Sequence, residues 1–282
     1  MGTNEKRTGW IAYLLIAPAF LIIVITVLYP IGNVLYSSLS LSDGGLGLGN
    51  YRRVFTDPQM RDSFFYTLYI CVATVVLAVV ISYALALYLR FSHSVFSRAI
   101  GKLYIFPRFI PGLVAVNGMI IIIRDAGFLN RLSRLFEMNF KPGLMYSDKG
   151  IILMNLWFNI PFATMLILSS LSAIPDSTVE AARDVGASTL RLVWRMILPM
   201  TTKDVIIAAM FVFMGNVGSF TTPYLMGGNS PQMLGVVLYK LYNSQQYTIS
   251  AALSVLMFLI CLISAVLYIT SNMREKAWEK QG

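Results

Sequence analysis

Long stretches free of Asp, Glu, Lys and Arg alternate along the chain with short connectors where those residues gather. A hydrocarbon core of about 30 Å requires roughly 20 helical residues at about 1.5 Å each. Residues 8–42, 63–89, 150–175, 205–239 and 241–273 all meet that length without one Asp, Glu, Lys or Arg. A sixth run, 103–123, is interrupted by Arg108 between Pro107 and Pro111. Lipid offers a backbone no water to bond, so these runs predict six spanning helices rather than open strands. For the interrupted run a re-entrant segment is the alternative, and Arg108 lies close enough to the end to snorkel. Trp10 and Tyr36 fall where interfacial aromatic belts form.

Composition agrees. Charged residues make up 12% of the 282, against about 25% in soluble domains, and mean hydropathy is +0.69. Intrinsic disorder is excluded by the same apolar content. The net charge of +9 is scattered between apolar runs, which suits anionic membrane lipids and not a nucleic-acid partner. Cys71 and Cys261 lie within apolar runs and imply no disulfide framework. His93, the single histidine, has no ligand partners for a metal. Lys6 and Arg7 precede the first run as in a signal peptide, but the run continues past Leu21 to Tyr29, which reads as an uncleaved anchor. Six spans put both termini on one side. With Arg108 set aside, that side holds twelve Lys and Arg against nine opposite, a weak bias toward cytoplasmic termini. The predicted organisation is a tail 1–9, one six-helix domain 10–273 and a tail 274–282.

One connector carries a pattern, in the loop at about 174–200. Ser177 with Glu180 three residues on is a capping-box signature, predicting a short helix from about Thr178. Gly186 supplies a stop or sharp corner. A second helix is predicted from about Ser188 until Pro199 interrupts it, with Leu190, Leu192, Val193, Trp194, Met196 and Ile197 beside Arg191 and Arg195. Two short helices at a glycine corner make a projection outside the membrane. It reads either as a packed loop in which Glu180 only caps a helix, or as a docking surface. In the docking reading Ala181 and Ala182 allow close approach, with Glu180, Arg183 and Asp184 around them.

Glu180-Ala181-Ala182, three residues, Gly186, nine residues, then Met196-Ile197-Leu198-Pro199 resembles the EAA motif of ABC importer permeases. Met196 stands at the motif's Ile position, an exchange that keeps apolar volume. Asn50-Tyr51, Phe55 and Asp57-Pro58 resemble the external loop after the first span of such permeases. Phe106-Pro107 through Pro111 resembles their third span, and Gly127-Phe128-Leu129-Asn130 the loop beyond it. The resemblance implies an all-α integral membrane protein of the type I ABC importer permease fold, with short cytoplasmic coupling helices, in a bacterial inner membrane. It also implies a cytoplasmic EAA loop, and hence cytoplasmic termini.

No Gly-x-x-x-x-Gly-Lys-Ser/Thr loop is present, so the chain has no P-loop of its own. By resemblance, ATP and Mg sit on a separate ATP-binding cassette subunit dimer, into which Glu180, Ala181, Ala182, Arg183, Asp184 and Gly186 would dock. The other implied partners are a second permease chain, the same or related, and an extracytoplasmic solute-binding protein. This chain would then be the pore-forming, non-catalytic subunit. The main polar residues inside the runs are Asn117, Asn155, Asn159, Asn216, Ser219, Thr221 and Thr222. Buried amides in lipid must face protein, and helix–helix bonding accounts for most of them. Asn216 and Ser219, three apart on one predicted helix face, are the leading path candidates, with Thr222 and Asn159 beside them. Segment 222–228 resembles the polyamine and ferric-iron branch, which makes a small charged metabolite such as a polyamine the leading substrate class. Residues 10–22 resemble the sugar branch, which keeps a sugar or other organic solute as the alternative. A secondary transporter independent of ATP is the alternative of another class. It calls for ionisable groups at mid-membrane. A membrane-embedded enzyme is a third, and no paired carboxylate or metal cluster supports it.

Overall fold

The computed structural model describes residues 15–41 and 44–278. The predicted tail 1–9, Trp10, and residues 279–282 of the predicted C-terminal tail lie outside them. Among the described residues six helices are long and apolar enough to cross a membrane, and no strand forms, only an isolated bridge between Ser40 and Leu46. Contacts divide the chain into two compact units, residues 1–58 with 238–258 and residues 59–237 with 259–282.

In the first unit, α1 (Leu15–Leu39) buries none of its most apolar stretch, as a helix facing lipid can. Its end is fastened by α2 (Gly49–Thr56). Asn50 Nδ2 donates to the carbonyls of Ser38 and Ser40 at 3.0 and 2.8 Å, satisfying acceptors that the helix terminus leaves open. Tyr51 and Ser38 share a hydroxyl hydrogen bond of 2.7 Å.

In the second unit, α3 (Pro58–Phe91) leads to α4 (Val95–Leu103), which is capped by Ser94. The interrupted run does not form one helix. Arg108 sits on a 3-10 turn, Phe106–Phe109, and the helix α5 (Gly112–Ile123) starts only after Pro111. With α6 (Phe128–Arg134), this forms the third span, Gly112–Arg134. The fourth, α7 (Asp148–Ser172), leads to α8 (Asp176–Asp184).

The fifth span departs from its predicted run. It is α9, Thr189–Val217, and it includes Arg191, Arg195, Lys203 and Asp204. Pro199 does not interrupt it. A π-helical turn, Val193–Ile197, precedes the proline, and this widened ladder relieves both the clash and the missing donor that a proline brings to a regular helix. The remainder of the run becomes α10 (Thr221–Met226) and α11 (Leu234–Asn243). The last helix, α12 (Tyr247–Trp278), continues past the predicted boundary at 273.

Candidate functional site

The corner around α8 is built from its N-terminus. The predicted capping box is not formed: the helix starts at Asp176, two residues early, and Pro175 caps it without a side-chain bond. Arg90 holds this junction in place of the box. Its Nε donates to the Leu171 carbonyl at 3.3 Å, and its Nη2 donates to the Ile174 carbonyl at 3.1 Å and the Asp176 carboxylate at 2.6 Å. The guanidinium thus satisfies acceptors at the C-terminus of α7, where the helix dipole favours a cation.

The C-terminus is a Schellman motif. Gly186, at φ +81°, donates to Arg183 O, and Ala187 donates to Ala182 O. Ser188 then caps α9. Val179 is buried in the apolar cluster that also holds Ile174, Leu192 and Ile197, so the corner is seated on a packed cluster.

Glu180, Ala181, Arg183, Asp184 and Gly186 are exposed. Ala182 differs from the expectation: it is half-buried and packs inward against the same cluster. The projection also carries apolar residues outside the motif. Val185 is 86% exposed, Leu190 70% and Trp194 63%.

A second constellation runs along α7 and α9, which pack against each other in antiparallel register. At one end a cavity of about 310 Å³ is lined by Val116, Asn155, Phe158, Asn159, Asn216, Ser219 and Thr222, among others. All four predicted path residues border it. Asn216 and Ser219, however, do not share a helix face: α9 ends at Val217, and Ser219 lies beyond it, donating its N–H to Asn216 O at 3.1 Å. The Asn216 amide bonds to its own helix at Val212 O, 2.6 Å away, and Asn159 donates to Asn155 O at 2.7 Å. Thr222 is 3% exposed. Asn155 stands out because it is 3% exposed and its Nδ2 donor has no hydrogen-bond partner. A buried amide donor left unpaired costs roughly 1–3 kcal/mol, so the cavity favours an acceptor oxygen.

Farther along the same two helices lies a second cavity, of about 470 Å³, lined by Leu166, Ser169, Ser170, Ala173, Asp204 and Ile207, among others. There Ser170 donates to Asp204 at 2.5 Å. Between the two cavities Phe162 of α7 meets Phe211 of α9 edge to face, with centroids 5.9 Å apart, and the Arg108 guanidinium lies 4.8 Å from the centre of the Phe162 ring. Asn155 and Asp204 carry no motif, and Arg108 stood out as the charge that interrupts a run. Asn155 was visible as a polar residue in an apolar run, whereas Asp204 lay one residue outside one. Among the described residues no group of His, Cys, Asp and Glu could hold a metal.

Comparison with known proteins places this architecture. Residues 63–274 match the model of the family described as "Binding-protein-dependent transport system inner membrane component". The spermidine/putrescine transport system permease protein PotB of Escherichia coli K12 is 26% identical over 224 residues, covering 78% of this chain and 81% of its own. The sn-glycerol-3-phosphate permease UgpA of Pectobacterium atrosepticum is 27% identical, covering 91% of this chain and 92% of its own. The trehalose permease SugA of Mycobacterium tuberculosis is 26% identical, covering 94% and 88%. Among solved structures, a chain of a bacterial alginate ABC transporter in complex with an alginate-bound periplasmic protein superposes with a TM-score of 0.83 at 15% identity, covering 96% of both chains. A chain of the inward-facing MetNI methionine ABC transporter gives 0.57 at 16% identity, covering 78% of this chain and 95% of its own. The chain belongs to the binding-protein-dependent transport system inner membrane components, the permease subunits of ABC importers.

Proposed function

We propose that this permease forms half of a translocation path and that α8 is the element through which a separate ATPase subunit drives it. The observation that carries the reading is the seating of α8. It presents Glu180, Arg183, Asp184 and Val185 to solvent from a capped corner. At both ends it joins the two helices that line the cavities. A displacement of α8 is therefore a displacement of the path walls, the two-state coupling that a nucleotide-driven switch requires.

In this reading Glu180 to Gly186 dock in a cleft of an ATP-binding cassette dimer, which holds ATP and Mg. A second permease chain closes the path, and an extracytoplasmic binding protein delivers the solute. The α8 end faces the cytoplasm, as do both termini. Asn159, Asn216, Ser219 and Thr222 border the path. Two solute classes carry support. The likeness of 222–228 to the polyamine branch and the PotB relative favour a small charged metabolite such as a polyamine. The UgpA and SugA relatives favour a polyol phosphate or sugar.

The test is purification of tagged protein in mild detergent with identification of what copurifies. Recovery of an ATPase subunit, lost on Glu180→Lys, supports the reading. A chain that purifies alone and moves solute into liposomes without ATP overturns it in favour of the secondary transporter.

A further inference from the structure

In the segment joining the two cavities aromatic rings meet a cation, a combination that neither cavity lining has. Phe162 is the fifteenth of the 25 residues of α7, near the middle of a spanning helix. Phe158 lines the first cavity four residues earlier and Leu166 lines the second four residues later. That spacing sets all three on one face of α7. On α9, Phe211 lies between Gly215 of the first cavity and Ile207 of the second by the same spacing. The aromatic pair thus stands on the line between the cavities. Arg108 lies over the Phe162 ring, four residues before Gly112, which also lines the first cavity.

Arg108 is exposed, and among the described residues this ring is the only side chain it interacts with. A cation held level with the middle of α7 is costly where it faces hydrocarbon, whereas one facing a wet passage is not. The first cavity adds the unpaired Asn155 donor and no carboxylate.

We infer that Arg108, seated on the Phe162–Phe211 pair, forms a positively charged aperture between the two cavities and selects oxygen-rich anionic solutes, carboxylates or phosphates, over cations. This rests on the path reading above, and it sets a polycation outside what the aperture favours. A solute approaching the aperture would exchange water for guanidinium and amide donors, the charge-assisted bonds that phosphate and carboxylate oxygens accept best.

The experiment places a reporter thiol one turn from the aperture. Asn159→Cys is made in a background of Cys71→Ala and Cys261→Ala, in the permease assembled with its ATPase in proteoliposomes. Labelling rates are measured with an anionic sulfonatoethyl and a cationic trimethylammonioethyl methanethiosulfonate, each normalised to its rate with free 2-mercaptoethanol. A unit charge about one helical turn away in partly wet surroundings raises the local concentration of a monovalent anion by roughly threefold and lowers that of a cation by the same factor. The anionic-to-cationic ratio is expected near tenfold with Arg108 or Arg108→Lys, and near one with Arg108→Gln. In the parent it should also collapse as salt rises from about 0.01 M to about 1 M, a check that needs no substitution at Arg108. If Asn159→Cys labels with both reagents but the ratio ignores both Arg108→Gln and salt, the aperture inference falls and the path reading stands. If it labels with neither reagent while ATP turns over, the path reading fails and takes the inference with it.

Discussion

Arg90 offers a decision between two effects that share one guanidinium. Its bond to Asp176 is the shortest of the three at 2.6 Å, yet the Asp176 side chain is 74% exposed against 19% for Arg90. An exposed ion pair contributes about 0–1 kcal/mol after screening and side-chain ordering. The bonds to the carbonyls of Leu171 and Ile174 are longer, at 3.3 and 3.1 Å, but those residues are 0% and 5% exposed. Removing the charged donor costs about 1–3 kcal/mol at the Ile174 carbonyl and about 1 kcal/mol at the Leu171 carbonyl, which still accepts from the Ile174 N–H. Arg90→Met keeps most of the apolar stem, so it isolates the lost bonds, and about 2–4 kcal/mol is expected. Asp176→Asn should cost under about 1 kcal/mol.

For a chain of this size each kcal/mol moves a melting midpoint by about 2–4 °C. The purified permease–ATPase complex should therefore melt roughly 5–10 °C lower with Arg90→Met and within about 3 °C of the parent with Asp176→Asn. The junction being anchored is that of α8, so solute uptake per ATP hydrolysed should fall with Arg90→Met and hold with Asp176→Asn. Equal damage from both variants would show that the ion pair, and not carbonyl capping, holds the corner, and would refute this reasoning.

Gly186→Ala meets no neighbouring atom but must hold φ near +81°, a strain of about 1–2 kcal/mol. It should slow uptake modestly, with Gly186→Asn closer to the parent. Gly186→Pro cannot adopt that angle and loses the bond to Arg183, so uptake should be abolished while the protein still reaches the membrane. Gly235→Ala would put a methyl 2.5 Å from the Ser219 carbonyl, shifting a segment that lines the first cavity. Altered uptake with unchanged docking of the ATPase subunit is expected, measured by copurification. Asn155→Leu removes an unpaired buried donor and should raise thermal stability slightly while lowering uptake. A loss of stability would show that the amide is bonded in the assembled transporter by protein rather than by solute.

What could be read in the sequence was what is local in it. Lipid forces a helix to satisfy its own backbone, so charge-free length alone located most spans. Gly186 needed only its neighbours to define a corner. Ser177 and Glu180 misled because a capping box is one of several ways to close a helix start. The winning contact came from Arg90, 86 residues from Asp176. Pro199 misled because a regular helix was assumed, and the preceding π turn depends on packing. The fifth span was shifted because Lys203 and Asp204 were read as a boundary. Asp204 is satisfied within the helix pair by Ser170, and no one-dimensional rule anticipates a partner 34 residues away. The aperture is of the same kind, since Arg108, Phe162 and Phe211 come from three separate segments.

That pattern bears on how the two sites act together. The connectors from α7 to α8 and from α8 to α9 are each only a few residues long, and both are pinned, one by Arg90 and the other by the Gly186 motif with Ser188 as cap. Short, bonded connectors transmit a displacement that long ones would absorb. The helices they lead into pair Ser170 with Asp204 near the corner, Phe162 with Phe211 farther along, and border one cavity with Asn155 and Asn216 beyond that. A sliding or splaying of α7 against α9, set off at α8, must therefore act on the aromatic pair before it reaches the amide-lined cavity. The aromatic pair meets through a ring contact, whereas the Ser170–Asp204 rung is a charge-assisted hydrogen bond. Dispersion contacts tolerate a shift of an ångström at smaller cost than such a bond, so the rung should hold and the aromatic level should open. Asp204→Asn would then loosen the fixed rung and not the opening one. Uptake per ATP hydrolysed should drop with that variant, while the thiol-labelling ratio at Asn159→Cys stays with Arg108. A change in that ratio as large as the change in coupling would show that the two levels move as one.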